Sequence, residues 1–166
     1  MKPVLTSLTI DGEVERPLML SFDQLSKVNP AEQVIDVSRL DAKRSGDAVR
    51  LAALLQMAGV KPTARYLTLH ASADDFHASI PLDAVRDRAV LLYRLEGGPL
   101  PVKSGGPVRF FIPDFAACHT SEIDECANVK FVDRIELSTE RGRDNRPSEE
   151  EEHARLHQRQ AEQNQP

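Results

Sequence analysis

The densest group of potential ligands in the chain is Cys118-His119 and Cys126, with Asp114, Glu122, Asp124 and Glu125 around them. Two thiolates, an imidazole and a carboxylate match the demand of a zinc or iron ion, although the spacing is neither a C-x-x-C knuckle nor a pair of them. Two other readings stand beside the metal: a pair of small buried thiols, or a local disulfide whose closed loop of about 8 residues would contribute about 2 kcal/mol. His70 and His77 bracket Asp74-Asp75. If the strands on either side pair, the two imidazoles come within reach of each other and of an aspartate, and such a group can transfer protons near neutrality. The plainer expectation is two histidines facing solvent on one side of a hairpin. Lys43, Arg44, Arg50 and Lys103 would line an anion site if their loops converge, and otherwise keep the surface soluble. Gly97-Gly98 and Gly105-Gly106 lack P-loop or dinucleotide spacing and read as turns.

These residues must be carried by elements that the pattern of apolar residues predicts. Residues 5–10 read as a strand running into the turn pair Asp11-Gly12. Ser21 with Gln24 forms a capping box opening a short helix that stops before Pro30. Residues 32–37 read as a strand, and 40–46 as a basic loop. Val49, Leu51, Leu54, Leu55 and Ala58 repeat at helical spacing up to Gly59. Strands at 66–70 and 76–80 pair around Asp74-Asp75, a short helix opens at Pro81, and strands follow at 89–95, 108–112 and 129–137. Beyond Ser138 only Ala154, Leu156 and Ala161 are apolar, so residues 1–138 are expected to form one domain and 139–166 a charged, disordered tail.

Bulk composition bounds the function. A 166-residue chain with 40% hydrophobic and 28% charged residues has the size and make-up of one globular domain. The absence of Trp and an aromatic share of 5% mean a core of Val, Leu, Ile and Ala. A net charge of -5, partly in the run Glu149 to Glu152, argues against nucleic acid as a partner. No apolar run approaches the ~20 residues that cross a bilayer, and Asp11, Glu13 and Glu15 interrupt any signal-peptide core. The expectation is a soluble, cytoplasmic protein with reduced thiols.

Six segments taken in order carry a resemblance. They are Ile10-Asp11-Gly12-Glu13-Val14 with Pro17 and residues 20–25; Val49-Arg50-Leu51-Ala52-Ala53-Leu54-Leu55 with Ala58-Gly59-Val60; and Ala73-Asp74-Asp75-Phe76 with Ile80-Pro81-Leu82. Leu95-Glu96-Gly97-Gly98-Pro99, then Gly105-Gly106-Pro107-Val108-Arg109-Phe110-Phe111, and finally residues 128–137 complete them. Together they resemble the molybdopterin-binding domain of the sulfite oxidase family. That resemblance implies an α+β domain of mixed sheets and short helices. Its loops enclose a molybdenum held by one protein cysteine and a pterin dithiolene, with basic residues on the pterin phosphate, and the chemistry moves two electrons and an oxygen atom. By matched position, Arg109 and Lys130 fall where basic residues lie near the cofactor, Ser104 replaces a histidine ahead of the paired glycines, and Ser38 lies where the metal-ligating cysteine is expected.

A serine hydroxyl does not replace a soft thiolate. The leading expectation is therefore a degenerate domain that binds an anion, a pterin or a protein without oxygen transfer. The alternatives are a molybdopterin-dependent oxidoreductase whose metal is held by Cys118 or Cys126, and a zinc or iron site formed by Cys118, His119 and Cys126.

Overall fold

The computed structural model describes residues 8–41, 43–113, 123 and 127–146 of the chain. In chain order the elements are β1 (Leu8–Gly12), β2 (Leu18–Leu20), α1 (Phe22–Ser26), β3 (Gln33–Val34), β4 (Asp47–Arg50), α2 (Leu51–Ala58), β5 (Tyr66–Ala71), β6 (Phe76–Pro81), α3 (Leu82–Val85), β7 (Val90–Leu95), β8 (Gly98–Pro99), β9 (Arg109–Phe111) and β10 (Arg134–Ser138). They form two mixed-order sheets with short helices. The first runs β2-β1-β10-β5-β6, with β1 parallel to β10 and the other neighbours antiparallel; the second runs β3-β4-β7-β8, with β9 also on β7.

Alternation along the strands decides which faces meet. In the first sheet Leu8, Ile10, Leu67, Leu69, Ala78, Ile80, Ile135 and Leu137 are buried in the main core. The intervening residues Thr68, His70, His77, Ser79, Arg134 and Glu136 make the other face polar. The second sheet is apolar on both sides. Val49, Leu91, Tyr93 and Phe110 join the main core, whereas Ala48, Val90, Leu92 and Phe111 join a smaller cluster with Val34, Val37 and Leu100. Each large side chain so buried contributes about 1.5–3 kcal/mol. No described helix is long and apolar enough to cross a membrane.

The capping box forms as its sequence predicts: the Gln24 amide donates to Oγ of Ser21, and the Ser21 amide to Oε1 of Gln24. Three expectations need correction. The strand at 32–37 shortens to Gln33–Val34, because Asp36 takes φ 66° and its amide donates to Asp47, turning the chain into the 3-10 turn Val37–Arg39. Val49 lies in β4, paired with Leu91, and the helix begins two residues later. The ordered chain also continues past Ser138. Residues 141–146 lie along β6, where the Asn145 amide donates to the His77 carbonyl at 2.9 Å and the amides of His77 and Ser79 donate to Asn145 and Asp144 side chains at 2.7 and 3.0 Å. Residues 147–166 are outside the described residues.

Candidate functional site

The 3-10 turn Val102–Ser104 leads into Gly105, which has φ +99°. A Cβ there would also lie 3.0 Å from Cδ of Arg109 and 3.2 Å from Cγ of Lys130, so glycine suits both the backbone and the space. The two basic residues singled out from the sequence thus flank one backbone position. Backbone hydrogen bonds fix them: the amides of Phe131, Val132 and Phe110 donate to the carbonyls of Gly105, Val108 and Val129 at 2.9, 2.8 and 2.9 Å.

Arg109 is only 9% exposed. Its Nη1 donates to the Ser104 carbonyl at 3.4 Å, while its Nε is shut off from solvent with no acceptor among the described residues. Ser104 therefore meets Arg109 through its backbone. Two residues on, the same face of β9 carries Phe111, and the guanidinium of Arg44 lies over that ring, 5.4 Å from its centre. Nε of Arg44 is also buried without a hydrogen bond, its ion-pair partner Asp41 standing 4.0 Å away. Burial, and then the positive charge of Arg44, push the pKa of Arg109 down from its ordinary value. An arginine stays charged at neutral pH regardless. Two crowded guanidinium groups with unused donors are relieved by an anion, which supplies both acceptors and opposite charge. Two hollows open nearby but are lined by neither arginine: one of about 260 Å³ borders Lys130, Phe131, Phe76 and Asp74, and another of about 300 Å³ borders Gly106, Pro107, Phe131 and Asp74.

Ser38 behaves differently. It is exposed on the turn Val37–Arg39, and both its amide and its hydroxyl donate to the Asp36 carboxylate. Those hydrogen bonds, the hydroxyl's first, lower the pKa of Asp36. The side chain is spent within its own turn. Cys118, His119 and Cys126 lie outside the described residues. Among the described residues no group of three His, Cys, Asp or Glu is placed to hold a metal ion. Of the four cations, Arg44 lies over Phe111, two residues along β9 from Arg109, while Lys43, Arg50 and Lys103 are exposed.

His70 and His77 do not face solvent as the plainer reading expected. They pair in register across β5 and β6, are 7% and 6% exposed, and their Nδ1 atoms are 2.7 Å apart. Nε2 of His70 lies 2.9 Å from Glu136, and Nε2 of His77 lies 2.9 Å from Asp75. Carboxylates only accept, so both Nε2 atoms donate and the Nδ1 contact needs one further proton. The turn pair and hairpin spacing signalled the encounter. Glu136, the carboxylate partner of His70, comes from a strand remote in sequence.

The family model for the oxidoreductase molybdopterin binding domain matches residues 3–146. The chain belongs to this family. Among its relatives is the uncharacterized oxidoreductase YuiH of Bacillus subtilis (strain 168), 32% identical over 114 residues that cover 64% of this chain and 56% of YuiH. A similar solved structure is the sulfane dehydrogenase SoxCD from Paracoccus pantotrophus, with a TM-score of 0.58 and 22% identity over 85% of this chain and 40% of that one. The fold expected from the resemblance is thus the fold observed, and the chain spans about half the length of these relatives. As a molybdopterin-binding domain, the chain can be tested against the two ends of that cofactor. The anionic end fits, since Arg109 and Arg44 each hold a buried Nε without an acceptor among the described residues and Lys130 flanks Gly105 with Arg109. The metal end finds no thiolate among the described residues, and Ser38 is a hard ligand already engaged.

Proposed function

We propose that this molybdopterin-binding-type domain holds the phosphate of a pterin, or a comparable small anion, between Arg109, Lys130 and Arg44, without oxygen-transfer chemistry. The observation that carries the reading is the pair of buried Nε donors, on Arg109 and Arg44, that have no acceptor among the described residues. When bound, a molybdenum cofactor would supply redox chemistry. This chain's own residues orient the anionic end through guanidinium hydrogen bonds and keep water from the Arg109 side. Protein produced in a host that makes the cofactor tests it. Pterin fluorescence released from wild type and lost in Arg109→Gln, without stoichiometric molybdenum, is the expected outcome. One molybdenum per chain would overturn the non-catalytic reading.

A second reading has one observation in its favour. The Ile112 amide donates to the Asn128 side chain at 2.8 Å, so the segment carrying Cys118 and Cys126 leaves and rejoins the described chain at one place, next to β9 and Lys130. Either cysteine would then be the ligand of a molybdopterin-dependent oxidoreductase. Loss of bound molybdenum in Cys118→Ser or Cys126→Ser identifies which.

A further inference from the structure

A second cleft, of about 590 Å³, opens at the far end of the β5–β6 hairpin. Its lining includes Lys61, Arg65 and Arg86 as cations, Asp83 as the carboxylate, and Tyr66 with Pro62 and Pro81 as apolar walls. β5 runs from Tyr66, in this cleft, to Ala71, next to the turn that borders the hollows beside Lys130. Six strand residues at about 3.3 Å each separate the two places, so this cleft is not part of the Arg109 cradle.

Three features mark it as a built site. None of Lys61, Arg65 and Arg86 is ion-paired among the described residues; Lys61 and Arg65 are exposed, whereas Arg86 is half-buried, and the half-buried Arg94, Arg134 and Arg146 all have carboxylate partners. Arg86 is half-buried, and its Nε is shut off from solvent with no acceptor among the described residues. A buried donor left unmade costs free energy, and few native groups are left so. The backbone also holds the walls in place. The Leu82 amide donates to the Arg65 carbonyl at 2.9 Å, the Arg65 amide to Ser138 at 2.8 Å and the Lys61 amide to Glu13 at 3.0 Å. The cations thus sit on a framework braced by α3, β10 and the residue that follows β1.

We infer that this cleft binds a phosphorylated small molecule of nucleotide size. The phosphate would lie among Lys61, Arg65 and Arg86, and a planar or apolar body would rest against Tyr66 and the two prolines. Three cations against one carboxylate call for an anion of charge two or more, and planar guanidinium groups match phosphate oxygens. The volume falls within the range of small-molecule pockets. This inference is independent of the cradle and survives its failure.

The test is titration of the full chain with AMP and with inorganic phosphate, followed by amide NMR and calorimetry. Wild type, Arg65→Gln, Arg86→Gln and Arg109→Gln are compared. AMP is expected to shift amides at residues 60–66 and 81–86, to bind more tightly than phosphate, and to lose at least tenfold in affinity in Arg65→Gln and Arg86→Gln but not in Arg109→Gln. Arg65 is exposed, so its variant retains the fold even if that of Arg86 does not. Three results would overturn the inference: no shifts in those segments, equal affinity for AMP and phosphate, or binding lost in Arg109→Gln and kept in Arg65→Gln.

Discussion

Arg109 and His77 are both nearly buried polar side chains, yet they are satisfied to very different degrees. His77 has every ring nitrogen engaged, with His70 on one side and Asp75 on the other. Among the described residues, Arg109 has one long hydrogen bond and an Nε without an acceptor. A group already satisfied holds structure together, whereas a group held in readiness is suited to binding. Truncating the first kind strands its partners. His77→Ala should destabilise the domain by about 2 kcal/mol, because Nδ1 of His70 loses its partner in a buried place. Urea denaturation measures this, and a change below about 0.5 kcal/mol would mean that the imidazole chain is ornamental.

The element that sequence reasoning placed wrongly is the segment 141–146. It has no apolar residues to bury, so hydrophobic patterning assigns it to solvent. It docks instead by polar mimicry, with Asp144 and Asn145 side chains accepting the edge amides of β6 and Arg146 paired with Asp144 at 2.6 Å. Gly142 passes so close to the Thr68 hydroxyl that a side chain there would collide. Exposed strand edges invite pairing with other chains, and this segment covers one. Burial pushes the pKa of Asp144 up, but hydrogen bonds from Arg146 and Ser79 outweigh it and bring it to about 2, below its ordinary 3.8. A depressed carboxylate stabilises the fold fully above its unfolded pKa and ceases to do so as pH falls through the folded value. Stability should therefore decline between about pH 4 and 2 in wild type, and the decline should be shallower in Asp144→Asn. Chemical denaturation across that range reads the difference; parallel curves would exclude this carboxylate as the cause. Other elements were legible for local reasons: the Ser21-Gln24 box and the hairpin around Asp74-Asp75 need only neighbours in sequence. The strand identity of Val49 and the turn at Asp36 follow from pairing with β7 and from Asp47, which no local window contains. In the proposed cradle, Arg109 and Lys130 come from matched position, whereas the part given to Arg44 rests on a ring contact across loops.

At the scale of the whole molecule, a buried cation with no counterion among the described residues costs stability that a bound anion would restore. Occupancy and stability are then coupled. Saturating phosphate should raise the melting temperature, by the equivalent of about 2.7 kcal/mol at one hundred times the dissociation constant. Arg109→Gln should keep close to wild-type stability in anion-free buffer while losing part of that gain. Scanning calorimetry with and without phosphate tests both halves, and an equal gain in the two proteins would assign all the protection elsewhere.

The place of β10 at the centre of the first sheet has a further consequence. It joins β1, more than a hundred residues earlier, to β5, and Arg134 bonds Asp11 across a separation of 123 residues. Until that strand has left the ribosome, β1 with β2 and β5 with β6 are only hairpins, which are marginal alone in water. The first sheet therefore cannot close before β10, the last described strand, is available, and the entropy of closing so long a loop slows folding.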